Sequence, residues 1–544
     1  MSRGKSKMKK WSKTMSAAVL TGILVTAGCS NNSKSASSED YELKDIKFPL
    51  KEDVSLKIMT SSSPLAPNDP NEKLILKRLQ KQTGVEIDWT NYTAGETFDE
   101  KRNLAVASGD LPDAIMNTGY GDYEILKLAK DGAIVPVEDL IEKHMPNLRK
   151  VLEDAPEYKA MMTAPDGHIY SFPWIEELGA GKESIHSVDD FPWINVEWLD
   201  KLGLDMPTNT EELKDVLKAF KTQDPNGNGK ADEIPMSFII NHGGEDVSHL
   251  FGAFGLGENG DHTVVTDDGE IKMTASEDGY KEAIRYLNEL YKEGLMDVEA
   301  FEQDWNTYLS KGKEGRYGMY FTWDKANITG MNDTYDLLPP LEGPDGEKNV
   351  TRTNNMGFDR NKMVITSANK NLELTAKWID QLYDPLQSVQ DNWGTYGDEK
   401  QQNIFEFNEA DQALKHLPLE GTAPVELREK TSIGGPLAIL DEYYGPVTTK
   451  PDDAAWRLGL MKDVMVPHMK AENIYPKVFF SLEDLDKLSK IETDLFAYIN
   501  RKKAEWITNG KIDKEWEAYL KELDRLGLQE WLEIKQAGYD RNQE

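Results

Sequence analysis

The feature that most constrains this chain is a switch of hydrophobic period, from strand to helix and back, made twice between residues 54 and 116. Val54, Leu56 and Ile58 alternate with polar residues as a half-buried strand does, whereas Leu74, Ile75 and Leu79 recur at helical spacing before Gly84. Val85 to Trp89 reads as a second strand. Thr97-Phe98-Asp99-Glu100 has the pattern of a capping box opening a helix that ends at Gly109, and Asp113 to Met116 reads as a third strand. A βαβαβ order predicts a parallel sheet with right-handed crossovers, and ligands of such sheets bind beyond the carboxyl ends of the strands. Those ends are Thr60-Ser61-Ser62-Ser63, Thr90-Asn91-Tyr92 and Asn117-Thr118-Gly119-Tyr120, small and polar as a hydroxylated ligand requires. The alternative for any one of them is an ordinary loop, polar by default.

A second α/β stretch follows from about Trp193 to Pro340. It has helical patterns at Asn209 to Phe220, Gly279 to Tyr291 and Gln303 to Lys311, and short strands at Pro235 to Ile240 and Tyr317 to Phe321. Leu482, Leu485, Leu488, Leu495 and Ile499 mark a later amphipathic helix opened by Ser481. At 544 residues the chain has room for two or three domains of ordinary size. Its 96 acids against 63 Lys and Arg give a net charge of −33, which repels phosphate backbones, and no basic run follows residue 13, so no nucleic-acid partner is expected. The single Cys cannot form an intramolecular disulfide or a Cys-based zinc site.

That Cys closes a secretory signal. Arg3, Lys5, Lys7, Lys9, Lys10 and Lys13 precede an apolar run from Met15 to Ala27, too short for the roughly 17–25 residues of a membrane span. Val25-Thr26-Ala27-Gly28-Cys29 resembles a bacterial lipobox, with Thr26 in place of the usual Leu. Cleavage before Cys29 would leave it N-terminal for lipidation, and the Ser/Asn/Lys tract from Ser30 to Asp40 reads as a flexible tether. The alternative is a stray Cys in an ordinary export signal.

Asp224-Pro225-Asn226-Gly227-Asn228-Gly229-Lys230-Ala231-Asp232-Glu233 places oxygen donors at positions one, three, five, nine and ten of a loop with Gly at six. That is most of an EF-hand calcium loop, in which Asp224, Asn226, Asn228, the Lys230 carbonyl, Asp232 and Glu233 would hold Ca²⁺. Pro235 stands where the bidentate Glu belongs. The alternative is an Asn/Gly turn between helix and strand. With no open position or acid–base partner in view, the expected role is structural.

Catalytic patterns are missing: the eight His are scattered, and there is no HExxH, GxSxG or Walker sequence. Gly255-Leu256-Gly257-Glu258-Asn259-Gly260 matches GxGxxG, yet Val264-Val265 and a turn at Asp268-Gly269 follow where a phosphate site needs a helix N-terminus. Acidic pairs such as Asp189-Asp190 read as solvated surface among so many acids. The Trp residues say more. Trp174, Trp193, Trp323 and Trp393 sit in loop-like contexts beside Pro, Gly or polar residues, where an indole face can stack on the C–H face of a sugar. Trp198, Trp378, Trp506, Trp516 and Trp531 lie on helical patterns and read as core, which is also the alternative for each loop Trp.

The chain resembles the family 1 extracellular solute-binding lipoproteins of carbohydrate ABC importers, in the long LipO-like branch akin to calcium-containing alginate-oligosaccharide-binding proteins. The marks, in order, are Ala107-Ser108-Gly109-Asp110-Leu111-Pro112-Asp113, Leu128-Ala129-Lys130-Asp131-Gly132 with Asp139-Leu140-Ile141, and Asp166-Gly167-His168-Ile169-Tyr170. Trp198-Leu199-Asp200-Lys201-Leu202-Gly203, Pro340-Leu341-Glu342-Gly343-Pro344-Asp345-Gly346 and the tail Ala537-Gly538-Tyr539-Asp540-Arg541 complete them. The resemblance implies a type II solute-binding fold of two α/β lobes, each a mainly parallel sheet flanked by helices, closing on a sugar and handing it to a permease. It also implies a metal loop of the same pattern, in which the acid adjacent to Asp232 replaces the missing position-twelve Glu.

The expected organisation is a signal at 1–28 and a lipidated tether at 29–41. The first lobe is built from 42–172 and about 350–440, the second from 173–349 and about 441–544. The expected function is that of a monomeric, lipid-anchored, non-enzymatic oligosaccharide receptor of an ABC importer on the outer face of the cell membrane. Its sugar would lie on Trp174, Trp193, Trp323 and Trp393, with Asn117, Tyr120 and Tyr444 as hydroxyl partners and Arg316 and Arg352 as candidates to pair a uronate. The rivals are a secreted carbohydrate-active enzyme, or a binder of peptides or another solute on the same scaffold.

Overall fold

The structure, a computed structural model, describes residues 46–330, 333–419, 422–449 and 452–543. Cys29 and the tether lie outside them. The described residues from Ile46 onward belong to one compact unit.

The βαβαβ reading holds. Val54–Ser62 pairs in parallel with Val85–Thr93 on one side and Ala114–Met116 on the other, through helices Leu74–Thr83 and Glu96–Ser108. Leu56, Ile58, Val85 and Ile87 alternate inward onto a core that also takes Leu79 and Trp378. Gly84 stops the first helix at a φ of 70°, a left-handed value that glycine adopts at low cost. The expected capping box falls within the first turn instead of before it: the second helix begins at Glu96 after Gly95, with no side-chain cap.

Strands distant in sequence complete this sheet. Its order is Leu437–Leu440, Phe172–Glu177, Phe358–Ile365, Ala114–Met116, Val54–Ser62, Val85–Thr93, and Phe358–Ile365 runs antiparallel to both neighbours. Phe172–Glu177, which the expected lobe boundary at 172/173 divides, pairs along its length with strands of this sheet. A smaller sheet is ordered Tyr335–Leu337, Phe191–Asn195, Tyr317–Thr322, Ile234–Ser237. Only its last pair is parallel, so this sheet is mixed rather than mainly parallel. The reason is connectivity: Phe191–Asn195 enters directly from the larger sheet instead of through a crossover helix of its own.

The chain passes from the large sheet to the small one through residues 178–190, returns through 338–357, and leaves the large sheet again after Leu440. Three C-terminal helices follow, Leu482–Asn509, Ile512–Leu526 and Leu528–Gln543. Ser481 caps the first by accepting from the Asp484 N–H at 3.1 Å. Leu495, Ile499 and Trp506 of that helix lie in the core of the small-sheet half, while Leu485 in its first turn also touches the cluster of Phe98, Ile125 and Tyr170 in the large-sheet half.

Candidate ligand cleft and metal loop

Where the two sheets meet, aromatic and carboxylate side chains from four separated segments converge. Trp174 and Glu176 are two apart on one strand and therefore share a face. His186 comes from the first crossing segment, with its ring 6.2 Å from Trp174 and 5.4 Å from Trp323. Trp323 directly follows the strand Tyr317–Thr322 of the small sheet, and both Trp174 and Trp323 are half-buried. Asn392, near the end of the helix Pro385–Trp393, donates through its amide nitrogen to Glu176 Oε1 at 2.7 Å, and Arg428 donates to its side-chain oxygen Oδ1. His186 Nε2 lies 3.4 Å from Glu176 Oε2. Burial alone would raise the Glu176 carboxyl, but His186 and Arg428 outweigh it and hold the group below its ordinary value.

From the small-sheet side, Thr322 Oγ1 donates to Glu245 Oε1 at 3.1 Å, and His242 Nδ1 meets Glu245 Oε2 at 2.7 Å. Asp189 and Asp190, read from sequence as solvated surface, are held in the first crossing segment with their carboxyls pushed upward by burial. The Arg457 charge offsets part of that shift at Asp189, and the His249 N–H donates to Asp190 Oδ2 at 3.1 Å. Half-exposed indoles beside carboxylates, an amide and a guanidinium can stack a sugar ring and bond its hydroxyls.

Other expected contacts fall elsewhere. Trp193 lies on a strand, fully buried, stacked at 5.2 Å on Trp456 with its Nε1 donating to the Thr322 carbonyl at 3.1 Å. Trp393 closes a helix rather than a loop and meets Tyr444 edge-on at 5.2 Å. Tyr444 is 1% exposed and donates to the Thr449 carbonyl. Asn117, at a φ of 53°, uses its amide on the Ile433 carbonyl and Gly435 N–H, tying the strand end to the 433–435 turn. Tyr120 is buried against Arg102, whose guanidinium carbon lies 4.1 Å from the ring centre. Arg352 borders a separate cavity of about 390 Å³ with Gly255, Lys470 and Asn473, and donates to the Glu472 carbonyl at 2.8 Å. Arg316 stands beside the metal loop, its Nε 3.2 Å from the Asp232 carbonyl.

Glu176, His186, Glu245, Asn392 and Arg428 are the residues that sequence reasoning passed over. One signal was available: Glu176 is two residues from the flagged Trp174, and Asn392 precedes the flagged Trp393.

The Asp224–Glu233 loop folds as its composition predicts. Gly227 and Gly229 take φ of 71° and 73°. The Asn226 and Asn228 side-chain oxygens accept the N–H groups of residues 228 and 230 at 2.9 and 2.7 Å. Both amides donate to Asp232 and lower its carboxyl. Glu233 Oε1 is buried without a hydrogen-bond partner, and burial, then repulsion from Asp224 and Asp232, raises its carboxyl. Among the described residues no three His, Cys, Asp or Glu side chains converge as a metal cluster. The loop's set is instead mixed oxygen, from carboxylates, amides and the Lys230 carbonyl, and the orphaned Glu233 oxygen fits a hard cation.

Two α/β lobes linked by crossing segments, with aromatic and polar side chains converging at the junction, define a type II solute-binding protein, and the chain belongs to the bacterial extracellular solute-binding protein family, whose profile matches residues 67–387. Its relatives include the fructooligosaccharide ABC transporter substrate-binding protein FusA of Streptococcus pneumoniae, 62% identical over 99% of both chains. Another is lipoprotein LipO of Bacillus subtilis, 28% identical over 72% of this chain and 73% of its own. The solved structure of FusA with kestose superposes at a TM-score of 0.88, with 64% identity, 90% of this chain and 99% of that one. An EF-hand mutant of FusA with fructo-nystose gives 0.87 at 63% identity and the same coverage. The chain is thus a substrate-binding protein of the ABC-transporter class and not an enzyme. No helix among the described residues is long and apolar enough to cross a membrane.

Proposed function

We propose that this protein captures a neutral fructo-oligosaccharide between its lobes and delivers it to an ABC permease, as a monomer held to the outer face of the membrane by lipid on Cys29. The observation that carries the reading is the convergence of Trp174, His186 and Trp323 with the Glu176–Asn392–Arg428 chain at one cleft. Its likeness to FusA supports the sugar class. A neutral ligand suits the site because Arg316 and Arg352, the candidates for pairing a uronate, lie away from it. Glu176, whose carboxyl is held below its ordinary value, stands beside Trp174 instead and would repel an acidic sugar. The lobes follow the sheets, so the first lobe includes Phe172–Glu177. Closure of one on the other removes water from around the sugar and strengthens each hydrogen bond.

Asp224, Asn226, Asn228, the Lys230 carbonyl, Asp232 and Glu233 hold Ca²⁺ in this reading. The ion neutralises three clustered carboxylates and supplies the partner that Glu233 lacks. Its role is structural, since the loop leads into the strand Ile234–Ser237 of the small sheet.

Calorimetric titration of the calcium-loaded protein with kestose, nystose and oligogalacturonate tests the reading. Saturable binding of the neutral sugars, little changed by salt and with no new reducing ends, is expected. Binding of the uronate alone, or hydrolysis, would overturn it.

A further inference from the structure

We propose that Arg457 is a positioning residue for sugar capture, a buried guanidinium that fixes Trp323 and the His186–Asp190 segment as one rigid platform. The proposal rests on the reading of the cleft given above.

Arg457 lies on the helix Asp452–Leu460, which follows the last strand of the large sheet, and only 1% of it is exposed. Its guanidinium sits between two rings, 3.6 Å from the centre of Trp323 and 3.9 Å from that of Phe191. Nη1 donates to the carbonyl of Trp323, Nη2 to that of Val188, and Nε to that of Ile185 at 3.4 Å. The acceptors therefore belong to Trp323 itself and to residues flanking His186 and Asp189. The Asp189, Asp190 and Asp324 carboxylates surround the charge, while burial draws its pKa down to about 9, which still leaves it protonated at neutral pH. The helix is in turn anchored by the preceding residue, Trp456, stacked on Trp193 in the small-sheet core.

Burying an unsatisfied cation costs several kcal/mol, so such a group persists only where its partners are complete. Here each of its three nitrogens donates to a carbonyl, and all three acceptors lie at Trp323 or beside His186 and Asp189. Only a planar guanidinium can stack on two rings while donating along three directions in its plane. An ammonium keeps the charge but leaves carbonyls unpaired and the indole face uncovered.

The test is a double-mutant cycle on kestose affinity, read by calorimetry, with Arg457→Lys and Trp323→Ala singly and together. Near-UV circular dichroism of the free proteins serves as a signature of Trp323 packing. Arg457→Lys is expected to weaken binding at least about ten-fold and alter the aromatic spectrum, and to cost several-fold less in the Trp323→Ala background, where only the contacts to the His186–Asp190 segment remain to be lost. Equal losses in both backgrounds would mark a general lesion and overturn the proposal, as would an unchanged affinity in Arg457→Lys. If that variant lacks a cooperative melt, Phe191→Leu frees one face of the guanidinium without removing its charge. It should weaken binding several-fold in the presence of Trp323 and not in its absence, and full retention of affinity would overturn the proposal. Wild-type protein that ignores kestose would instead overturn the reading of the cleft, and this inference with it.

Discussion

Trp323 is clamped by Arg457 and lies 5.4 Å from His186, so its ring is ordered before any sugar arrives. Truncating a preorganised stacking face removes apolar contact, and Trp323→Ala should weaken oligosaccharide binding about 10- to 100-fold by calorimetry and also lower the melting temperature, because the ring packs on a core cluster and covers Arg457. Asp380 makes a separate prediction. Its Oδ1 accepts from the Asn147 and Leu148 N–H groups at 2.9 and 3.1 Å, yet burial pushes its pKa to about 6. The folded state then holds this proton more tightly than the unfolded one, so the contribution of Asp380 to stability falls as pH rises from about 4 to about 6 and is level above. Asn at this position keeps the accepting oxygen and loses the ionisation. The melting temperature of Asp380→Asn relative to wild type should therefore climb across that interval, and a constant difference would contradict the argument. Trp174 and Trp323 could be proposed from sequence because each sits in a loop-like context beside Pro or polar residues. Trp193 was not separable from them, because the ring that covers it belongs to Trp456, far away in the chain. Glu176 and Arg428 were hidden for the same reason: nothing local distinguishes them from the other charged residues until the strand and helix meet.

The Asp224–Glu233 loop brings three carboxylates, those of Asp224, Asp232 and Glu233, into one short loop, and without a cation their repulsion works against the fold. Chelation should lower the melting temperature by several degrees in a calorimetric scan, and calcium should restore it. Glu233→Gln should melt no lower than wild type in chelator and gain less from calcium, and an equal gain would remove Glu233 from the ligand set. Elements carried by local pattern were readable in sequence: the βαβαβ unit, the long helix opened by Ser481 and the glycine turns of the metal loop. The antiparallel pairing in the small sheet and the joining of Phe172–Glu177 to Leu437–Leu440 were not, since register between segments hundreds of residues apart leaves no periodic trace.

In the whole molecule, three segments cross between two sheets, and the C-terminal helix starting at Leu482 touches both halves. The proposed capture of sugar then calls for a hinge-like closure about those crossings. Small-angle scattering should show a smaller radius of gyration with saturating kestose, and a radius independent of sugar would argue against closure. The central claim, that a neutral oligosaccharide is held where the lobes meet, is tested most directly by a crystal structure of the calcium-loaded protein grown with kestose. The account predicts sugar density against Trp174, His186 and Trp323, with hydroxyls within hydrogen-bond distance of Glu176 and Asn392. Density confined to the Arg352 cavity or the surface near Arg316, with the junction filled only by water, would contradict it.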